Sequence, residues 1–146
     1  MGETQRNLGN YPAAITAYQN CVKDEEAAWA CYREAECWVA MYQYQEAIAT
    51  CARGLAYHAG MAALAWLAAY AAYYTGLNSA AIYWAKISIT LGRFEGCVGQ
   101  VQRHGFQYLE AQYEKPYDVL RYALLKQGDE VGAKSAELRY HQAYQA

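Results

Sequence analysis

The sequence predicts an all-α protein built of antiparallel helix hairpins stacked side by side. Three observations carry that expectation. The composition is helix-prone: alanine is the commonest residue, only 2 prolines occur, and 55% of the residues are hydrophobic. Apolar residues recur at helical spacing along most of the chain. And the pattern of one two-helix segment returns after 33 to 34 residues.

The chain is organised around Met61 to Leu91. No charged residue falls between Ala59 and Ala85, and Met61 to Tyr74 is apolar or aromatic throughout its 14 residues. A membrane-spanning helix needs about 20, so a helix buried on all sides is expected instead. Thr75-Gly76-Leu77-Asn78-Ser79 breaks the run, with Gly suited to a helix C-terminus and Asn or Ser to the next N-cap. Upstream, Ala14, Ile15, Tyr18, Cys21 and Val22 share one face of a helix over 10–23 that tolerates Pro12 in its first turn. Residues 26–41 form a second helix with Ala28, Cys31, Ala35 and Trp38 along one side. Residues 44–57 form a third through Ala47, Ile48, Cys51 and Leu55. Met1 to Thr4 hold no helix start, so the chain is expected to begin part-way through a helix.

Tyr11 to Tyr44 spans 33 residues, as do Ala14 to Ala47 and Ile15 to Ile48; Ala47 to Ala81 spans 34. The segments GNYPAAITAY, YQYQEAIATC and GLNSAAIYWA therefore superpose. Gly9, Tyr11, Ala14, Ile15 and Tyr18, then Tyr44, Ala47 and Ile48, then Gly76, Ala81 and Ile82, and near the end Gly128, Ala133 and Tyr140, fit one pattern. In this the chain resembles the tetratricopeptide repeat (TPR) family, whose period is about 34 residues. Its first helices depart from the pattern: Ala35 and Trp38, and later Ala69 and Ala72, stand where the family has Gly and Tyr, and Arg121 replaces the Gly of the last. The resemblance implies a right-handed α-α superhelix in a single domain. Its parts are a truncated repeat at 1–24, repeats at 25–59 and 60–91, an irregular helix or insertion at 92–115, and a final hairpin at 116–146. Residues 92–115, with a short helix expected over Phe94 to Arg103, fit either a degenerate repeat or an inserted helix.

Catalytic signatures are missing. His58, His104 and His141 lie far apart, and no HExxH, GxSxG, CxxC or phosphate-cradling glycine loop occurs. Glu34 and Glu36 read as a solvated face, and His58 as a cap compensating a helix dipole. Cys31 and Cys37, six apart on one helix, point to well-separated sides, so no metal site and no cofactor is expected. Five cysteines without regular spacing give no disulfide framework and point to a reducing, cytoplasmic setting. A net charge of -2 offers no footprint for nucleic acid or an anionic membrane. An enzyme acting alone is not expected.

The resemblance places ligand-facing residues on the first helix of each hairpin: Tyr32, Arg33, Glu36, Val39 and Ala40, then Trp66, Leu67, Tyr70, Tyr73 and Tyr74, then Tyr122 and Lys126. Family members that grip C-terminal carboxylates use Lys, Asn and Arg in this groove. Here Tyr32 and Trp66 occupy the Lys positions, and Glu36 and Tyr70 the Asn positions, so a terminal carboxylate is poorly served. The expected function is non-catalytic binding of a protein or peptide in an aromatic-lined concave groove. Tyr18 and Trp38 read as packing, whereas Tyr70 and Tyr73 fit groove or packing equally. An alternative is an accessory module of a larger enzyme. KPYDVLRYALL at 115–125 resembles a segment of repeat tails attached to bacterial family-2 glycosyltransferases. Another alternative is a chaperone resembling those of type III secretion. Self-association through an exposed terminal hairpin face is also expected to be open to the chain.

Overall fold

The computed structural model describes residues 8–20, 24–91 and 115–144, and seven α-helices run through them. They are α1 (Tyr11–Gln19), α2 (Asp24–Ala40), α3 (Tyr44–Tyr57), α4 (Ala62–Tyr74), α5 (Asn78–Leu91), α6 (Lys115–Lys126) and α7 (Glu130–Tyr144). Each helix packs on the next in sequence, and α4 also touches both α2 and α6. The even-numbered helices thus share a layer, with α4 in its middle. Cys21, Cys97, His104 and the helix expected over Phe94 to Arg103 lie outside the described residues, as does the start of the chain at Met1 to Thr4.

The turns explain the hairpins. After α4 the Gly76 amide donates to the Tyr73 carbonyl and the Leu77 amide to the Ala72 carbonyl. After α6 the amides of Gly128 and Asp129 repeat this toward Leu125 and Leu124. Both are Schellman closures, which need a left-handed residue that glycine supplies without strain. Gly76 and Gly128 have φ of 82° and 80°. After α2 the same closure forms with Tyr42 in the glycine's place, at φ 59°. The new helices are then capped. Asn10 accepts from the Ala13 amide ahead of α1, and Asp129 accepts from the Gly132 amide at the start of α7.

The first two turns of α4 are covered on all sides, every residue from Ala62 to Ala69 being buried, whereas Tyr74 near its end is exposed. Its alanines let neighbouring helices come close. At the crossing of α2, α3 and α4, a Cβ added to Gly54 would stand 2.8 Å from the Cβ of Cys31 and 2.8 Å from Leu64 Cδ1. Only glycine fits there without displacing a helix. On α5, the buried Ser88 hydroxyl donates to the Ala62 carbonyl at 2.9 Å, tying the far end of the hairpin shut. A smaller cluster of Ala14, Ile15 and Cys37, with Tyr18 and Trp38 against it, fixes α1 on α2.

Glu34 departs from its expected solvated face. It is 1% exposed. Its carboxylate accepts from Trp38 Nε1 at 3.0 Å, Gln19 Nε2 at 3.4 Å, the Arg53 guanidinium, and Thr50 Oγ1 at 3.0 Å, whose one hydrogen is shared with the Glu46 carbonyl at 2.8 Å. One buried acid therefore joins α1, α2 and α3. The arrangement is stable because both carboxylate oxygens meet donors, Oε2 those of Trp38, Thr50 and Gln19 and Oε1 that of Arg53.

Candidate functional site

α2, α4 and α6 enclose a cavity of about 440 Å³, within the range of small-ligand sites. From α2 come Glu36, Val39 and Ala40; from α4 come Trp66, Leu67, Tyr70, Tyr73 and Tyr74; from α6 come Asp118, Val119 and Tyr122. Of the residues expected to face a ligand, the structure brings Glu36, Trp66, Tyr70, Tyr73, Tyr74 and Tyr122 together here. It leaves out two. Tyr32 is fully buried and stacks on Trp29 with ring centroids 5.4 Å apart. Arg33 lies beside it with its guanidinium 4.6 Å from the Trp29 ring and its Nη1 2.8 Å from Glu36 Oε1. Both are held inward because α2 is packed on nearly every side over Ala27 to Cys37.

The wall is a connected set of rings. Trp66 meets Tyr70 at 5.7 Å and Tyr70 meets Tyr74 at 4.6 Å, as residues four apart on one helix must. Tyr73 stands edge-on to Tyr74 at 5.4 Å and reaches Tyr122 of α6 at 6.3 Å. In the other direction Tyr74 stacks on Tyr44 at 6.0 Å, and Tyr44 meets the edge of Tyr42 at 6.4 Å. Depth varies along this set. Trp66 is 7% exposed and belongs to the core with one edge on the cavity, whereas Tyr74 and Tyr122 are 55% and 46% exposed. Burial, with the adjacent Tyr74 hydroxyl, holds the Tyr70 phenol above its ordinary value, so it is a neutral hydrogen-bonding group at any physiological pH.

Charge enters from the flanks. Glu36 on α2 and Asp118 on α6 both line the cavity, on either side of the α4 rings. Asp118 lies 3.5 Å from Arg121 Nη2, and that guanidinium lies 4.7 Å from the Tyr122 ring. At the rim Lys126 Nζ stands 4.3 Å from the Tyr73 ring centroid. Asp118 and Val119 were not among the residues expected from sequence. Asp118 precedes Tyr122 by four residues, so helical spacing alone puts it on the same face.

Among the described residues no group of three or more His, Cys, Asp or Glu could hold a metal ion, and no helix is long and apolar enough to cross a membrane. His58 closes α3 as its C-cap residue. Cys31, Cys37 and Cys51 are buried, and burial pushes the Cys51 thiol well above its usual value, away from reactivity.

No family model matches the chain, and no curated protein does. Among solved structures it is similar to MamA, residues 41 to the end, from Desulfovibrio magneticus RS-1. The TM-score is 0.71 at 17% sequence identity, over 97% of this chain and 71% of that one. MamA contains tetratricopeptide repeats. The fold is that of a TPR-like helical solenoid. Within it, α2, α4 and α6 occupy the layer of first helices, which is where the cavity opens. The all-helical hairpin architecture expected from the 33 to 34 residue period is the one observed.

Proposed function

We propose that this chain is a non-catalytic binding scaffold that holds a protein or peptide segment in the aromatic-walled groove between α2, α4 and α6. The TPR-like fold supports a protein-interaction role in general. The observation that carries the finer reading is the cavity itself, walled by Tyr70, Tyr73, Tyr74 and Tyr122 across two helices and left open between them. Aromatic rings give large contact area at low entropic cost, and their hydroxyls orient a bound backbone. Tyr74 and Tyr122 leave about half their surface in solvent, a state that burial under a ligand would relieve.

The test uses these two residues because Trp66 is too deeply packed to separate binding from folding. A Tyr74→Ala, Tyr122→Ala double variant is expected to keep the wild-type helical circular dichroism and to lose the partner that wild-type protein retains from native lysate. Equal capture by the two proteins, each folded, refutes the groove.

A further inference from the structure

We infer that the groove's occupant is a proline-bearing peptide segment in the polyproline II conformation, its pyrrolidine rings laid on the tyrosine faces and its carbonyls accepting from tyrosine hydroxyls. This deepens the function proposed above and rests on it. The choice follows from what the groove has left to give. Both of its carboxylates are engaged within the protein: Glu36 Oε1 lies 2.8 Å from Arg33 Nη1, and Asp118 Oδ1 lies 3.5 Å from Arg121 Nη2. Its hydroxyls stand differently. Among the described residues no group bonds to the hydroxyl of Tyr73 or Tyr122, and each phenol carries an O–H donor. Lys126, over the Tyr73 ring, adds an ammonium that only donates. A neutral ligand rich in acceptors and poor in donors complements this wall.

An ordinary extended segment does not meet that demand. Each N–H it lays between the rings loses its water and meets carboxylates already paired, which is costly. An amphipathic helix spends its carbonyls on its own amides, so it would cover the hydroxyls without bonding them. Proline answers both points. It has no N–H and keeps its carbonyl. In polyproline II the backbone makes no internal hydrogen bonds, so those carbonyls stay open to the phenols. The conformation is also fixed before binding, and aromatic-lined grooves dock such segments for these reasons. The dimensions agree. Trp66 to Tyr74 is about 12 Å of helix axis, with ring centroids 5.7 Å apart from Trp66 to Tyr70 and 4.6 Å apart from Tyr70 to Tyr74. At about 3.1 Å per residue, roughly four polyproline II residues run along the same wall.

The experiment is a display selection of random twelve-residue peptides on the wild-type protein, counter-selected on the folded Tyr74→Ala, Tyr122→Ala variant. Binders that depend on the two tyrosines are expected to share an obligatory proline. Its replacement by alanine, which restores the N–H and frees φ, is expected to weaken binding by about tenfold or more. The Tyr73→Phe, Tyr122→Phe variant keeps both rings and removes both hydroxyls, and is expected to weaken it by about fivefold or more. Tyr83→Phe, at an exposed ring on α5 outside the groove, is expected to leave it unchanged. Tyrosine-dependent binders with no obligatory proline, or binding that survives loss of the two hydroxyls, overturn this assignment while the groove stands. Failure to recover any tyrosine-dependent binder overturns both.

Discussion

Glu34→Gln isolates the buried carboxylate that joins α1, α2 and α3. The substitution keeps the shape and removes the charge. Oε2 of Glu34 accepts from Trp38, Thr50 and Gln19, while Oε1 accepts from Arg53. A glutamine can turn its carbonyl to the first group or to Arg53, and its amide then faces donors on the other side. The arginine yields, because its side chain is 48% exposed and regains water when it swings away. The loss is one charge-assisted bond and the weakening of three others, about 2 kcal/mol. For a chain of this size that is a fall in Tm of about 4–8 °C. Arg53→Gln alone should cost under about 1 kcal/mol, as exposed ion-pair partners do. Urea unfolding followed by circular dichroism measures both, through the midpoint at constant slope. If Glu34→Gln unfolds within about 0.5 kcal/mol of wild type, a surface-like range, the carboxylate is not holding the three helices. If Arg53→Gln costs as much as Glu34→Gln, the ion pair dominates and the buried donors do not.

Tyr42→Gly should stabilise the protein by up to about 1 kcal/mol, since Tyr42 is a non-glycine residue at positive φ in a closure that elsewhere uses glycine. An unchanged or lower urea midpoint would mean that its edge contact with Tyr44 outweighs the backbone strain. Gly54→Ala should destabilise by about 1–2 kcal/mol, because overpacking against the Cys31 Cβ exceeds the helix propensity gained. A raised midpoint would show that α2 and α3 can separate freely. Stability should also fall at alkaline pH. The folded protein keeps the Cys51 and Tyr70 protons after the unfolded chain has released them, so it binds more protons above the ordinary values of 9.0 and 10.0. The stabilisation is complete below about pH 9, the unfolded thiol's value, and is lost as pH rises. Urea midpoints from pH 7 to 10.5 should decline above 9, less steeply in Cys51→Ala; parallel profiles would assign the decline elsewhere.

Much of the fold was legible because it rests on local rules. The uncharged run before Gly76 marked a helix buried over most of its length, though its last aromatic, Tyr74, is exposed, and Gly76 and Gly128 marked two of the closing turns. Glu34 was misread by giving its charge more weight than its register. It follows Cys31 by three residues and precedes Trp38 by four, so helical geometry set it on the same apolar side. Carboxylates are so seldom buried that the register was overruled. Its partners Thr50 and Arg53 sit on α3, and no pattern within α2 announces them. Tyr32 failed differently. Its position suggested the groove, but α2 is enclosed by α1, α3 and α4, and that enclosure follows from packing between elements.

The groove follows from a contrast in size that polarity conceals. α4 has no charged residue on any face, so an apolar-versus-polar reading finds no sidedness in AALAWLAAYAAYY. Size does. At 100° per residue, Trp66, Tyr70, Tyr73 and Tyr74 fall within an arc of about 100°, and alanine fills most other positions. The alanine faces admit α3 and α5 at close range, while the aromatic face holds α2 and α6 off. Between them it leaves a cavity whose walls are the rings themselves. Substituting alanine at Tyr70 or Tyr73 therefore alters the spacing of helices as well as the chemistry of the wall. Replacing Tyr74 and Tyr122, about half exposed, alters the chemistry with less effect on that spacing. Aromatic residues on one arc of α4 can thus be exchanged for polar ones with every alanine contact to α3 and α5 left in place.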